Sequence, residues 1–388
     1  MDALILTCGT GGGHNSAAYA VKEALERAGH HAEVMNPYLL RSKKKAEVID
    51  QVYIHMAQRA PHLFGTAYQL GNLYRKLPVR SPVYFFNRKA AECLLAYLKE
   101  HHFDIIVTTH LYPAEMITVL RDRQVDLPKS VFIATDYTCI PFTEETECDA
   151  YVIPMKSLEQ EFVDRGIPEE KIHPFGIPVS ERFQTKMTRE EAAERLGLDA
   201  RKRYILVSGG SIGAGAVSRM VSMLLHQYKG ASDMKIIVLC GNYEALYEKL
   251  DRWYGDRIIL MRYTDQMEAC LRLCDCYFSK PGGLSSTEAA VVGTPFIQTV
   301  PIPGCESRNR KQFEKRGMSL TIGRTRHELT KALDDISDPE TREKMIERQH
   351  EEINREASKD LCTFLEELVQ ETIQGVTASC ISSCKMIE

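Results

Sequence analysis

A histidine at the end of a glycine-rich stretch is well suited to proton transfer. The stretch Gly9-Thr-Gly-Gly-Gly-His14 follows a short apolar run and precedes a segment of helical periodicity that begins near Asn15. An imidazole titrates near neutral pH, so His14 is a candidate general base at the mouth of a cleft. The alternative is a helix-start histidine that hydrogen-bonds the backbone. The stretch is not a P-loop, because Asn15 and Ser16 occupy the positions of the required Lys-Ser/Thr pair.

Two further glycine-rich segments could hold a phosphorylated ligand. Residues 208–215 follow an apolar run and could bind phosphates through backbone amides, or could form a tight turn with no ligand. Residues 279–288 contain a Pro-Gly-Gly turn and then Ser and Thr residues that can start a helix. Glu288 falls near the first turn of that helix, where it could accept hydrogen bonds from a ribose diol. Alternatively, Glu288 completes a capping box with Ser285.

The elements that position these segments follow a regular order. Short apolar runs alternate with helix-length segments twice along the chain, which is typical of parallel α/β sheets. The predicted strands are 3–7, 32–35, 104–108, 130–134 and 150–153 in the first half, and 204–207, 235–239, 257–261, 276–279, 296–300 and 319–322 in the second. We therefore predict an α/β fold of two facing Rossmann-like domains with a ligand cleft between them.

The length of the chain suits this division. It has 388 residues, 44% of them hydrophobic and 26% charged, enough for two sizeable cores. The turn-rich stretch 174–178 is the expected hinge, so the predicted domains are residues 1–176 and 177–345. Residues 346–374 are expected to form helices that pack back across the cleft. Residues 375–388 show little periodicity and are expected to fray.

Composition argues against several classes of protein. The net charge of −4 does not favour a nucleic-acid partner, and no apolar run approaches the roughly 18 residues of a membrane span. The first residues lack the basic region and cleavage site of a secretion signal. The twelve cysteines are scattered, so we expect reduced cytosolic thiols. The chain has no Asp-x-Asp pair and no zinc-type cysteine and histidine set, so neither a metal nor a cofactor is expected.

The segment 38–90 interrupts the α/β pattern, because no convincing strand is predicted in it. It contains ten basic and two acidic residues, so its net charge is +8 while the rest of the chain carries −12. Such a cationic, aromatic segment suits an anionic membrane surface, where aromatic rings enter the headgroup zone and basic residues meet anionic lipid. The alternative is a set of helices packed on the sheet with a solvated basic face. The candidate membrane contacts are Lys43, Lys44, Lys45, Phe85 and Phe86.

Six motifs together resemble one group of enzymes. The chain resembles glycosyltransferases of the MurG and monogalactosyldiacylglycerol-synthase type, and is most similar to the bacterial processive diacylglycerol glycosyltransferases. The resemblance covers nearly the whole chain. The motifs that carry it are Gly9–His14, Thr109-His110-Leu-Tyr-Pro113, Thr135-Asp136-Tyr137, Phe175-Gly176-Ile-Pro178, Lys280–Glu288, and Pro303-Gly304-Cys-Glu306 with Asn309.

This resemblance implies the GT-B fold and the transfer of a sugar, with inversion, from a UDP-sugar to a lipid at the cytoplasmic face of the membrane. By position, His14 is then the base that deprotonates the acceptor, and Asp136 would orient His14 or the acceptor. The implied UDP-sugar-binding residues are Gly209, Gly210 and Ser211 by the pyrophosphate, Gly13, Gly282, Gly283 and Leu284 along the donor, Glu288 at the ribose, and Glu306 and Asn309 near the donor sugar.

Two departures from the family pattern leave the substrates open. Cys305 replaces a glutamine that is expected near the hydroxyls of the donor sugar. The histidine that often follows the Thr-Asp-aromatic motif in diacylglycerol-type members has no counterpart in residues 135–142. The identity of the sugar and of the acceptor therefore does not follow from the motifs.

We expect an inverting, metal-independent enzyme that moves a hexose from a UDP-sugar to diacylglycerol or a related lipid. It would act without a cofactor, bound peripherally to the inner face of the cell membrane. One alternative is transfer from UDP-GlcNAc to a polyprenyl-linked or other lipid acceptor, and another is a non-catalytic UDP-sugar sensor. A flavin or nicotinamide oxidoreductase is disfavoured, because neither glycine loop has the expected acidic partner.

Overall fold

The computed structural model describes residues 1–9, 11–210, 213 and 216–384. The described residues form two parallel six-stranded sheets, one in each half of the chain. The N-terminal sheet consists of β1 (Asp2–Leu6), β2 (His31–Met35), β3 (Ile105–Thr108), β4 (Lys129–Ile133), β5 (Ala150–Val152) and β6 (Ile172–His173). The C-terminal sheet consists of β7 (Arg203–Ser208), β8 (Met234–Leu239), β9 (Ile259–Met261), β10 (Cys276–Ser279), β11 (Phe296–Gln298) and β12 (Leu320–Thr321).

Helices connect the strands and cover both faces of each sheet. In the first half they are α1 (Gly12–Arg27), α2 (Tyr38–Arg41), α3 (Lys43–Arg59), α4 (Pro61–Tyr74), α5 (Pro82–Glu100), α6 (Leu111–Asp122) and α7 (Glu159–Val163). In the second half they are α8 (Arg189–Leu196), α9 (Val217–Gln227), α10 (Glu244–Tyr254), α11 (Met267–Leu273), α12 (Gly283–Val292), α13 (Cys305–Lys315), α14 (Arg326–Ser337), α15 (Pro339–Glu352) and α16 (Ala357–Cys384).

The strand order explains why the apolar runs are continuous. It is β2-β1-β3-β4-β5-β6 in the first sheet and β12-β11-β10-β7-β8-β9 in the second, so the central strands are covered on both sides. Every residue of β3 and of β10 is buried. Strands with this environment need hydrophobic side chains on both faces, whereas a half-exposed strand alternates. The two Rossmann-like domains predicted from the sequence are confirmed.

The predicted strands agree with the observed ones to within two residues at either end. The sequence did not predict β6, which has two residues and pairs at the edge of the sheet with β5. So short a strand carries no periodicity, and it runs directly into the turn-rich stretch 174–178.

The segment 38–90 contains α2, α3, α4 and the first part of α5, and is helical as its lack of strand signals predicted. Two of its basic residues are bound to the domain beneath. Arg75 Nε donates to Glu144 Oε1 at 2.7 Å, and Arg80 forms ion pairs with Asp122 and Glu147. The segment is therefore anchored to its domain through arginine, while six of its other basic residues are exposed.

The last helix, α16, returns to the N-terminal domain. Leu361, Leu365 and Val369 are buried in the same cluster as Ala3 and Ile5 of β1. The helix is assigned to Cys384, and the expected fraying of residues 375–388 stays a prediction. The C-terminal end of the chain thus completes the core of the N-terminal sheet.

Candidate active site

The carboxyl ends of both sheets open onto one cleft between the domains. Parallel sheets place their ligand sites at this edge, and α1 and α12 both begin here, so the positive ends of two helix dipoles face the cleft. The domains approach closely at Gly283, where a Cβ atom would lie 1.9 Å from the Thr135 carbonyl oxygen. An anionic ligand between the two helix ends would therefore be enclosed by both domains.

His14 lies at the N-terminal wall of this cleft. Its Nδ1 is 2.7 Å from the Thr109 carbonyl oxygen and 2.9 Å from Thr135 Oγ1. A carbonyl oxygen can only accept, so Nδ1 carries the proton and Nε2 remains a basic acceptor. Burial lowers the pKa of His14 more than the Asp136 charge and the Thr109 hydrogen bond raise it. The imidazole is thus neutral near pH 7 and able to take a proton.

His14 therefore does form the hydrogen bond to the backbone that was the alternative role predicted for it. This bond does not compete with base chemistry, because it fixes the tautomer in which Nε2 is free to accept a proton. Asp136 also lines the cleft and acts on His14 through its charge. The pair has the arrangement of a base whose protonated form is stabilised by a nearby carboxylate.

Lys280 brings a buried positive charge to the C-terminal wall. Its Nζ pairs with Glu306 Oε1, and Glu306 Oε2 accepts a hydrogen bond from the Ile302 amide at 2.8 Å. Burial alone would lower the pKa of Lys280, but the Glu306 carboxylate raises it above its ordinary value. The lysine also borders the glycine-rich segment 208–215, since a Cβ on Gly210 would lie 3.8 Å from Nζ.

The backbone amide of Gly210 is not arranged to bind a phosphate. The amide donates to Ser208 Oγ at 3.0 Å, and the Gly210 φ of +71° is one that glycine adopts readily. This amide is therefore already engaged. The Lys280 ammonium and the first amides of α12 are donors that a diphosphate in the cleft could reach.

Glu288 lies on the second turn of α12 and faces the same cleft. The N-cap of the helix is Gly282, which has no side chain, so Glu288 is not part of a capping box. Burial and the charge of Glu268 raise the pKa of Glu288 to about 8, although Arg182 acts in the opposite direction. A partly buried carboxyl group that opens onto a cleft is suited to hydrogen-bonding a diol.

Helix α4 of the segment 38–90 reaches the cleft from the N-terminal domain. Phe64 lines the cleft, and a Cβ on Gly65 would lie 2.5 Å from Pro303 Cβ, so the helix packs tightly on the loop that precedes α13. The Tyr68 ring lies against Gly304. The segment that we expect to contact a membrane therefore also contacts the loop that leads into α13, the helix on which Glu306 lies.

The structure brings most of the predicted site residues together. The cleft is lined by His14, Asp136, Gly13, Gly210, Gly282, Gly283, Leu284, Glu288 and Glu306. Gly209 is buried behind the loop, and Ser211 lies outside the described residues. Asn309 is fully buried, with its amide bonded to Asp136, Tyr137 and Pro281. It is thus bound to protein groups on all sides.

The cleft is also lined by Lys280, Arg182 and Phe64, to which the sequence assigned no role. Lys280 carried a usable signal, because it directly follows a buried strand, where the ligand-binding edge of a parallel sheet lies. Arg182 and Phe64 reach the cleft only through tertiary packing, which the local pattern does not encode. Among the residues that the structure describes, no group of three or more acidic, histidine or cysteine side chains is arranged to hold a metal ion.

Comparisons with known proteins match each half of the chain to a protein family. Residues 14–179 match the family model of monogalactosyldiacylglycerol (MGDG) synthase, and residues 204–361 match that of the glycosyltransferase family 28 C-terminal domain. The processive diacylglycerol beta-glucosyltransferase of Bacillus pumilus is 25% identical to this chain over 374 residues, which span 95% of this chain and 94% of the relative. The predicted family resemblance is confirmed.

Solved structures show the same fold. MurG of Acinetobacter baumannii aligns with a TM-score of 0.59 at 15% identity, covering 94% of this chain and 99% of MurG. UDP-GlcNAc 2-epimerase of Neisseria meningitidis, solved with UDP-GlcNAc bound, aligns with a TM-score of 0.60 at 11% identity, covering 95% and all of that chain. At these identities the likeness concerns the fold alone, and it confirms the GT-B arrangement.

Proposed function

We propose that this chain, a GT-B glycosyltransferase that joins a monogalactosyldiacylglycerol synthase domain to a glycosyltransferase family 28 C-terminal domain, transfers a hexose from a UDP-sugar to diacylglycerol. The observation that carries the proposal is the position of His14. Its free Nε2 lies in a cleft whose opposite wall carries Lys280, Glu288 and the start of α12. One wall thus offers a base for an acceptor hydroxyl, and the other offers partners for a nucleotide diphosphate.

The proposed reaction is a direct displacement at the anomeric carbon. His14 Nε2 takes the proton of the acceptor hydroxyl while the acceptor oxygen forms a bond to that carbon. The bond to the β-phosphate oxygen breaks, and its electron pair stays with UDP. The Lys280 ammonium and the amides at the start of α12 stabilise this leaving group electrostatically. Attack from the side opposite UDP inverts the configuration, and no metal or cofactor takes part.

A screen of donors tests this function. The purified protein is incubated with diacylglycerol in anionic mixed micelles and with each common UDP-sugar, and the lipid products are analysed by mass spectrometry. We expect a hexosyl-diacylglycerol from one donor. UDP binding without any product would contradict diacylglycerol as the acceptor. Transfer from UDP-GlcNAc to a polyprenyl-linked acceptor would favour the alternative function.

The pH dependence of donor binding follows from Glu288. Below a pKa of about 8 its carboxyl is protonated, and above it the carboxylate accepts hydrogen bonds from both ribose hydroxyls. We therefore expect the affinity for UDP to rise by about tenfold between pH 7 and pH 9, as measured by calorimetry. Glu288→Gln should flatten this dependence. Binding of 2′-deoxy-UDP to the unchanged protein serves as the control, because it removes one hydroxyl, and its pH dependence should be weaker.

The segment 38–90 supports a membrane-bound site of action. Among the described residues, ten of the fourteen exposed large hydrophobic side chains lie in this segment. They are Leu39, Val48, Val52, Leu63, Leu70, Leu73, Leu77, Val79, Phe85 and Phe86. Lys43 and Lys44 are exposed on α3, the helix that also contains Lys45. No helix in the described part of the chain has the length and apolar character of a membrane span. We propose peripheral contact with the cytoplasmic face of an anionic membrane through this segment.

Vesicle binding tests this contact. Neutralising Lys43, Lys44 and Lys45 together should weaken sedimentation with anionic vesicles, more at low salt than at high salt, because salt screens exposed charges. Phe85→Ser with Phe86→Ser should weaken binding at both salt concentrations, since apolar insertion is not screened. Trp253→Ser, at an exposed aromatic outside the segment, is the matched control. Equal loss in this control would contradict the assignment of the membrane surface to residues 38–90.

A further inference from the structure

The loop Thr135–Tyr137, which follows β4, enters the C-terminal domain. Tyr137 is fully buried, and its ring lies edge-on against Phe313 with the ring centroids 4.9 Å apart. Its hydroxyl is 2.7 Å from Thr287 Oγ1 of α12. Tyr137 and Phe313 belong to one buried cluster that extends across both domains. The loop is therefore part of the contact that closes the cleft.

Asn309 on α13 forms hydrogen bonds with this loop. Its Oδ1 accepts the Tyr137 amide at 2.7 Å, and its Nδ2 donates to Asp136 Oδ1 at 2.7 Å and to the Pro281 carbonyl at 3.0 Å. One carboxamide thus joins the N-terminal loop to two segments of the C-terminal domain. An aspartate here would set a second carboxylate against Asp136. An apolar residue would leave the buried Tyr137 amide, the Pro281 carbonyl and the partly buried Asp136 carboxylate without this partner.

The other side of the same loop contacts the base. Thr135 Oγ1 is 2.9 Å from His14 Nδ1, and the next residue, Asp136, is the charge that acts on His14. The other titratable ring against His14 is His110, whose centroid is 4.5 Å away. Asp136 in turn faces the Cys305 thiol and the Lys280 ammonium. Contacts with residues of the C-terminal domain therefore fix the position of the Asp136 carboxylate.

We propose that Asn309 is a positioning residue that couples closure of the two domains to the basicity of His14. When the domains meet, Asn309 binds the Tyr137 amide and fixes the Asp136 carboxylate, whose charge then stabilises the imidazolium that forms as His14 takes the acceptor proton. When the domains separate, Asp136 loses its hydrogen bond to Asn309. The Asp136 carboxylate then no longer stabilises the protonated form of His14. The inference rests on the proposed function, and it assigns Asn309 a role other than contact with the donor sugar.

Three variants test this role. Asn309→Ala and the milder Asn309→Ser remove the carboxamide, while Tyr137→Phe removes the hydrogen bond to Thr287 but leaves Asn309 and Asp136 intact. The kcat, the donor KM, the affinities for UDP and for the UDP-sugar, and the His14 pKa from NMR of labelled histidine are measured for each. We expect Asn309→Ala to lower kcat by about 10²-fold with both affinities unchanged, because a displaced catalytic group affects the chemical step.

The His14 pKa distinguishes positioning from general disruption. It should fall in Asn309→Ala and Asn309→Ser, stay unchanged in Tyr137→Phe, and fall no further when Asp136→Asn is combined with Asn309→Ala. Weaker binding of the UDP-sugar but not of UDP, with an unchanged His14 pKa, would overturn the proposal and make Asn309 a sugar ligand. If the unmodified protein transfers no sugar, the proposed function fails, whereas a lower His14 pKa in the Asn309 variants still supports the coupling.

Discussion

His14→Ala should lower kcat by about 10²–10⁴-fold, the range that general-base catalysis contributes, while the affinity for UDP stays unchanged. The reason is geometric, because His14 stands on the N-terminal wall whereas the groups suited to the nucleotide stand on the opposite wall. Turnover is measured by release of UDP in the presence of the lipid acceptor, and binding by calorimetry with UDP alone.

A second substitution separates the base from the fold around it. In His14→Asn the side-chain amide can still donate to the Thr109 carbonyl, which now accepts from Nδ1, but it has no basic nitrogen. We expect this variant to be as stable as the unmodified protein and as inactive as His14→Ala. A variant that retains turnover would remove His14 from the mechanism. If the unmodified protein only reports UDP-sugar levels, neither substitution should alter its response.

Replacing Lys280 by methionine should lower kcat by about 10²–10³-fold, the loss typical for one preorganised partner of a developing negative charge. The ammonium lies beside both Gly210 and Gly282, since a Cβ on Gly282 would be 3.5 Å from Nζ. Because negative charge grows on UDP as its bond to the sugar breaks, a fixed cation at this place favours the transition state. Addition of a metal chelator should leave the activity of the unmodified protein unchanged.

The single substitution also leaves Glu306 buried without its ion-pair partner, which destabilises a protein whatever its activity. The double variant Lys280→Met with Glu306→Gln removes both charges and serves as the control. We expect it to regain thermal stability relative to Lys280→Met but not to regain turnover. Recovery of turnover in the double variant would show that Lys280 serves only to neutralise Glu306.

The predictable parts of this protein are those that local patterns encode. Buried parallel strands such as β3 and β10 need apolar runs, and the glycine-rich turns after β1, β7 and β10 stand at the edge where ligands bind. For this reason the two domains and the cleft could be predicted, together with nine of the residues that line the cleft. The short edge strand β6 could not, because two residues give no periodicity.

Residues whose role depends on pairing across the chain were not accessible in this way. Asn309 stands in a motif, but its bonds join residues 172 and 173 positions away, and only the folded structure shows that its carboxamide is fully occupied. Likewise, the spacing around Arg75 does not reveal that Glu144 binds it, so the count of basic residues overstated the charge that the segment 38–90 presents to its surroundings. Composition gives the number of charged residues in a segment, whereas tertiary contacts decide how many of their side chains are exposed.

The return of α16 to the N-terminal sheet has a consequence for synthesis of the protein. Leu361 and Leu365 are fully buried in the same cluster as Ala3 and Ile5 of β1, and such side chains contribute about 1.5–3 kcal/mol each. At about 5–20 residues per second, a ribosome delivers them roughly 10–40 s after the last strand of that sheet. During this interval the nascent N-terminal half lacks part of its core and exposes the surface that α16 will cover. Its folding therefore cannot be completed before α16 has been translated, and a message truncated before α16 would yield a product prone to aggregation.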